Sequence, residues 1–140
     1  MWKRKQKALI SILAAVVIVI GILSVWYFFP KTFLDGIEAG DVKSISVFDG
    51  NTGKSFHIDA PEEIQYIVEN IQGIEMERDN ISVNYSGYSF RMSFYGENAK
   101  VLDRFIINSA DTIRCDPFFY RCDGGLCYDY LRELENKYAD

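Results

Sequence analysis

Residues 8–29 read ALISILAAVVIVIGILSVWYFF, 22 consecutive positions without a charged side chain, in which only Ser11, Gly21 and Ser24 are not apolar. As a helix this run is about 33 Å long at 1.5 Å per residue, enough to cross the hydrocarbon core of a bilayer. A helix of that length packed in a soluble domain would keep a polar stripe toward water, and this run has none. It fixes the architecture first: a membrane segment, followed by whatever folds after it.

The flanks set its orientation. Lys3, Arg4, Lys5 and Lys7 precede the run, which places the N-terminus in the cytoplasm. Trp26, Tyr27, Phe28 and Phe29 close the far end as an interfacial aromatic belt, and Pro30 with Lys31 stops the helix. A cleaved signal peptide is the competing reading, but its apolar stretch would run about 7–15 residues and end in small side chains. The expected organisation is a basic cytoplasmic tail at 1–7, a transmembrane helix in the lipid bilayer at 8–29, a juxtamembrane stalk at 30–41 and an extracytoplasmic domain at 42–140 of a single-pass plasma-membrane protein.

That division changes the meaning of the net charge of −5. Residues 31–140 hold 11 of the 15 Lys+Arg and all 20 Asp+Glu, so they carry −9. An acidic domain of this kind is repelled by nucleic acid, which is excluded as a partner.

Within the domain, VKSISVF (42–48) and KSFHID (54–59) alternate around DGNTG, the signature of a β-hairpin. A helix follows, with Asp59 as its expected N-cap, Pro61 in the first turn and Glu62 placed as in a capping box. Ile64, Ile67, Val68 and Ile71 form its apolar face and Gly73 its stop. Period-two patterning then returns: IEMERD and ISVNY as short strands, YSFRMSFY (88–95) with Tyr88, Phe90, Met92 and Phe94 on one face, VLDRFIIN (101–108), TIRC and FFYR. A last helix spans about 126–138, its inner face built from Cys127, Leu131, Leu134 and Tyr138. The order β-β-α-β-β-β-β-α predicts an α+β fold, an antiparallel sheet with helices packed on one face.

Motifs that resemble chemistry fail on spacing. DGNTGKS would need glycine at position 48 to be a phosphate loop, and Phe48 stands there. As a calcium loop it lacks an oxygen ligand at Gly53 and the bidentate carboxylate at Ala60. His57, the single histidine, falls on the face opposite Phe56 and Ile58 and is expected to be exposed. The paired acids Glu62/Glu63 and Glu75/Glu77 read as a helix start and a solvated strand face. No pattern calls for a cofactor or metal.

Two groups remain as candidate sites. Cys115, Cys122 and Cys127 lie close together in sequence and form either one disulfide with a leftover thiol or three reduced side chains. Sixteen Phe and Tyr fall in residues 31–140, and while most belong to the core, Tyr95, Tyr120, Tyr128 and Tyr130 (with Tyr85) are candidates for an exposed binding surface.

The segments YSFRMSFYGENAKVLDRFIINSADTIRCDPFFYRC and LCYDYLRELE resemble small, uncharacterised, membrane-anchored extracytoplasmic proteins of Gram-positive-type bacteria. The resemblance covers about residues 42–137 and implies a bacterial cell-envelope setting with no assigned activity. The expected function is a non-enzymatic anchored module that binds a protein or peptide or senses one. The alternatives are a thiol-dependent envelope enzyme and an immunity or inhibitor protein.

Overall fold

The computed structural model describes residues 1–139. Helix α1 (Trp2–Phe28) carries no buried side chain and is long and apolar enough to span a membrane. After it come β1 (Lys31–Thr32), β2 (Ser44–Asp49), β3 (Ser55–Ile58), α2 (Pro61–Gln72), β4 (Glu75–Ile81), β5 (Phe90–Tyr95), β6 (Val101–Ser109), β7 (Thr112–Cys115), β8 (Phe118–Arg121) and α3 (Tyr128–Tyr138). The strands form one antiparallel half-barrel sheet in the order β1-β4-β8-β7-β6-β5-β2-β3. The α+β class is as the sequence predicts.

Alternation along the strands sends one set of side chains inward. Ile45, Val47, Phe56, Ile58, Phe90, Met92, Phe94, Phe105, Ile107 and Ile113 are all buried. Register aligns them across strands: Val47 lies opposite both Phe56 and Met92, and Met92 opposite Phe105. The inward faces of α2 (Ile64, Ile67, Val68, Ile71) and α3 (Leu131, Leu134) close over this surface in a single cluster. Each fully buried side chain of this size stabilises by about 1.5–3 kcal/mol, so the clustered core dominates the stability.

Several local expectations are corrected. The segment 30–41 is not a free stalk. Lys31 and Thr32 pair with Met76 and Glu75, and Phe33 and Leu34 enter the core. The Gln72 amide, at the end of α2, donates to the carbonyls of Leu34 and Ile37 and fixes that segment. Asp59 does not cap α2. Ala60 is the N-cap and Pro61 the first helical residue, which leaves Asp59 one position too early. ISVNY is not a strand beyond Ile81, because Ser82 bonds to the β7–β8 turn and Asn84 takes a left-handed φ of 66°. Five strands, not four, lie between α2 and α3, and β1 is an additional one. Tyr138 is exposed, and Glu135 takes the inner position on α3 instead.

Candidate functional site

The link between β4 and β5 is one of three long steps in the sheet; β1 to β2, through residues 33–43, and β3 to β4, through α2, cross farther. Strands β4 and β5 are separated by β8, β7 and β6, so eight residues (82–89) must cover four strand spacings. At about 4.8 Å per spacing that is roughly 19 Å, which eight residues cover without full extension, leaving room for the turn that the Tyr85 N–H closes onto the Ser82 carbonyl. The link lies across the outer face, and the strands beneath it each supply a contact. Ser82 donates its N–H to the Pro117 carbonyl at 2.8 Å and its hydroxyl to Asp116. Arg114 on β7 donates to the Tyr85 carbonyl at 2.9 Å, and the Tyr85 ring meets Phe119 of β8 edge-on at 5.2 Å. Ser89 donates to Asn108 of β6 at 3.2 Å and accepts from Gly50 at 2.9 Å.

Beneath and beside this link runs a groove of about 680 Å³ whose polar floor includes Asn108, Thr112 and Arg121 and whose aromatic wall is Tyr85, Tyr88 and Phe119. Of its lining, Ile81 and Tyr85 are 67% and 61% exposed, and Val83, between them in the link, is 56% exposed. Glycine is required at position 50: a Cβ there would overlap the Tyr88 carbonyl and come 2.9 Å from the Tyr88 ring.

The outer face carries four arginines among acidic neighbours that include Glu77, Asp79 and Asp116. Arg91, Arg104, Arg114 and Arg121 project from four successive strands of the order β5-β6-β7-β8. Arg114 pairs with Asp116 at 2.8 Å and Arg121 with Asp79 at 3.4 Å. Arg91 lies over the rings of Phe48 and Tyr88, and Arg104 donates to Ser93; neither has a carboxylate partner among the described residues. The Arg114 hydrogen bond, with help from Ser82, holds the Asp116 carboxyl below its ordinary value, and the Ser109 and Thr112 hydroxyls do the same for Asp111.

The residues singled out from sequence are dispersed. All three cysteines are free thiols. Cys115 is half-buried at the end of β7. Cys122 is half-buried in the turn after β8, and Cys127 is buried at the start of α3. Burial pushes the Cys127 thiol up to about 12 and raises Cys115 as well, the reverse of what a thiolate nucleophile needs. Tyr95, Tyr120, Tyr128 and Tyr130 do not share a surface. Tyr120 is a core residue against Phe33, and Tyr128 bonds to Arg132. Tyr130 meets Tyr66 edge-on at 4.5 Å, and Tyr95 ends β5 at the Ser44 pairing. Tyr85 alone of the aromatic candidates lines the groove. His57 is exposed on β3.

Two buried charge clusters escape sequence reading. Asp49 has no exposure and accepts from the Arg132 guanidinium and from the Asn51 N–H; Arg132 also bonds Glu135 at 3.1 Å and Tyr128 at 3.0 Å. Burial would raise the Asp49 carboxyl, but the Asn51 N–H and Arg132 outweigh it and hold it below its ordinary value. Glu63, read from sequence as part of a helix start, is buried there and accepts from Lys137 at 2.7 Å and Tyr138 at 2.9 Å, which ties α2 to α3. Glu63 sits beside Ile64 in the inner stripe of α2, and that adjacency is the signal available in sequence.

No family model matches the chain, and neither the curated proteins nor the solved structures include a match.

Proposed function

We propose that this protein is a non-enzymatic binding module, held by α1 in the plasma membrane with its sheet domain on the extracytoplasmic side, that receives an extended protein or peptide segment on its outer sheet face. The observation that carries the reading is the groove beside the 82–89 link, with Ile81 and Tyr85 exposed in its lining and Val83 exposed between them in the link. An aromatic wall beside polar side chains suits an extended backbone, whose amides need hydrogen bonds and whose side chains need apolar cover. Arg91 and Arg104, without carboxylates of their own, favour a segment bearing acidic residues. An immunity or inhibitor role is a special case of this reading. A thiol-dependent enzyme is opposed by the raised Cys115 and Cys127 thiols.

The test is site-specific photo-cross-linking of the full chain in its native membrane. A benzophenone side chain replacing Val83 is expected to give a discrete adduct that weakens when Tyr85→Ala is added. The same probe replacing Glu62, exposed on α2, is expected to give none. Equal adducts from the two positions, or none from position 83, would count against the groove.

A further inference from the structure

Arg78 lies on the inner face of β4, opposite Tyr120 of β8, where the last turn of α1 covers the sheet. Its guanidinium carbon is 4.4 Å from the Phe118 ring centre, 4.5 Å from Trp26 and 4.9 Å from Tyr27. These rings attract the cation but offer no lone pairs to its N–H groups. Its Nε and Nη1 are enclosed and have no hydrogen-bond partner. The rings close these two donors off, and Arg78 still lines the cavity between α1 and the sheet, where its charge is paired by no carboxylate among the described residues.

A second cation stands beside it. Lys31 Nζ lies 5.2 Å from the centre of Tyr120, the same ring that Arg78 approaches at 5.9 Å. Both cations line a cavity of about 830 Å³ between α1 and the β1–β4 edge, together with one carboxylate, Asp35. The opposite wall is apolar and belongs to α1: Ile18, Gly21, Ile22 and Val25. From Ile18 to Val25 this wall extends about 10 Å along the helix. It runs away from the domain, toward the middle of the helix, while the cations stand at the level of Trp26.

We infer that this cavity binds one monoanionic phospholipid, its phosphate against Arg78 and Lys31 and an acyl chain along the Ile18–Val25 wall. The inference rests on the reading that α1 spans a membrane. Two cations and one carboxylate leave the lining at +1, the complement of a single phosphodiester charge. A phospholipid presents its parts in the same order as the cavity does, apolar toward the bilayer centre and anionic at the interface. An apolar peptide or a second helix would fill the wall but leave the net positive charge of the lining unmatched.

The experiment uses the full chain in nanodiscs of phosphatidylcholine with a minority of phosphatidylglycerol, followed by native mass spectrometry of the released protein. One phosphatidylglycerol should remain bound in preference to phosphatidylcholine. Arg78→Gln and Lys31→Gln should each weaken that retention about fivefold. Gly21→Leu fills the wall at a position with nothing within 4 Å, so it should displace the lipid and leave thermal unfolding of the sheet domain unchanged. Equal retention of both lipids, full retention by Arg78→Gln, or displacement by inorganic phosphate would overturn the site. Vesicle flotation separates the two layers of the reading. A chain that does not float has no anchor, and the lipid site falls with it. A chain that floats without headgroup preference keeps the anchor and loses the site.

Discussion

The guanidinium of Arg132, on the C-terminal helix, meets the carboxylate of Asp49, at the end of a strand 83 positions earlier, with that carboxylate closed off from solvent. The pair joins the β2–β3 hairpin to α3, and Thr52 reinforces it by donating to Glu135 at 2.7 Å.

Removing one partner strands the other. Arg132→Met should cost about 3 kcal/mol, because it leaves an uncompensated carboxylate in the interior. Asp49→Asn in the same background should recover part of that loss. Urea unfolding of the two single variants and the double variant measures the coupling, and strictly additive losses would show that the pair is not energetically linked.

Acid should weaken the fold through the same carboxylate. Asp49, Asp111 and Asp116 all titrate below their ordinary value of 3.8, so in acid the native state binds fewer protons than the unfolded chain. Their contribution is complete well above pH 3.8 and is lost as pH falls through 3.8 and on through the depressed native values. Asp116 is 59% exposed and contributes less than Asp49. Melting temperature between pH 7 and pH 2.5 should fall chiefly below about pH 4, and Asp49→Asn, though less stable at neutral pH, should show a shallower fall.

Thiol labelling should be ordered by burial. Cys127, raised to about 12, should stay unlabelled by iodoacetamide at pH 8 in the native chain and react fully in urea. Rapid native labelling at Cys127 would contradict its burial at the start of α3 and reopen the nucleophile reading.

Gly50→Ala tests the crossing link. An added methyl would collide with Tyr88, and the strain should cost about 1–3 kcal/mol. Because Gly50 also donates to Ser89, the 82–89 link should lift, and limited proteolysis should cut there faster than in the parent. Unchanged cleavage would mean the link is held without this contact.

The elements with strong periodicity were legible in the sequence. The apolar run became α1, Phe90, Met92 and Phe94 became the inner face of β5, and the Ile64–Ile71 stripe became the buried face of α2. Strand order was not, since no local pattern says that β4 pairs with β8 rather than β5. The groove depends on that order and was hidden with it. Phe33 and Leu34 were missed because two core residues beside Gly36 and Gly40 make no period, and only the distant Gln72 amide defines their path. Tyr120 was misjudged for a related reason. Tyr120 looks like its neighbours by type, yet strand alternation turns it inward.

The short junction between helix and sheet bears on how far the domain can travel. Only Phe29 and Pro30 separate α1 from β1, whose first residue is already paired to Met76. Two residues give at most about 7 Å of slack. With α1 in a bilayer, the groove is mounted at a fixed height and heading rather than on a tether. A groove mounted so would not sample the space around its anchor, and a segment of the kind proposed would have to come to the membrane surface already oriented to the sheet.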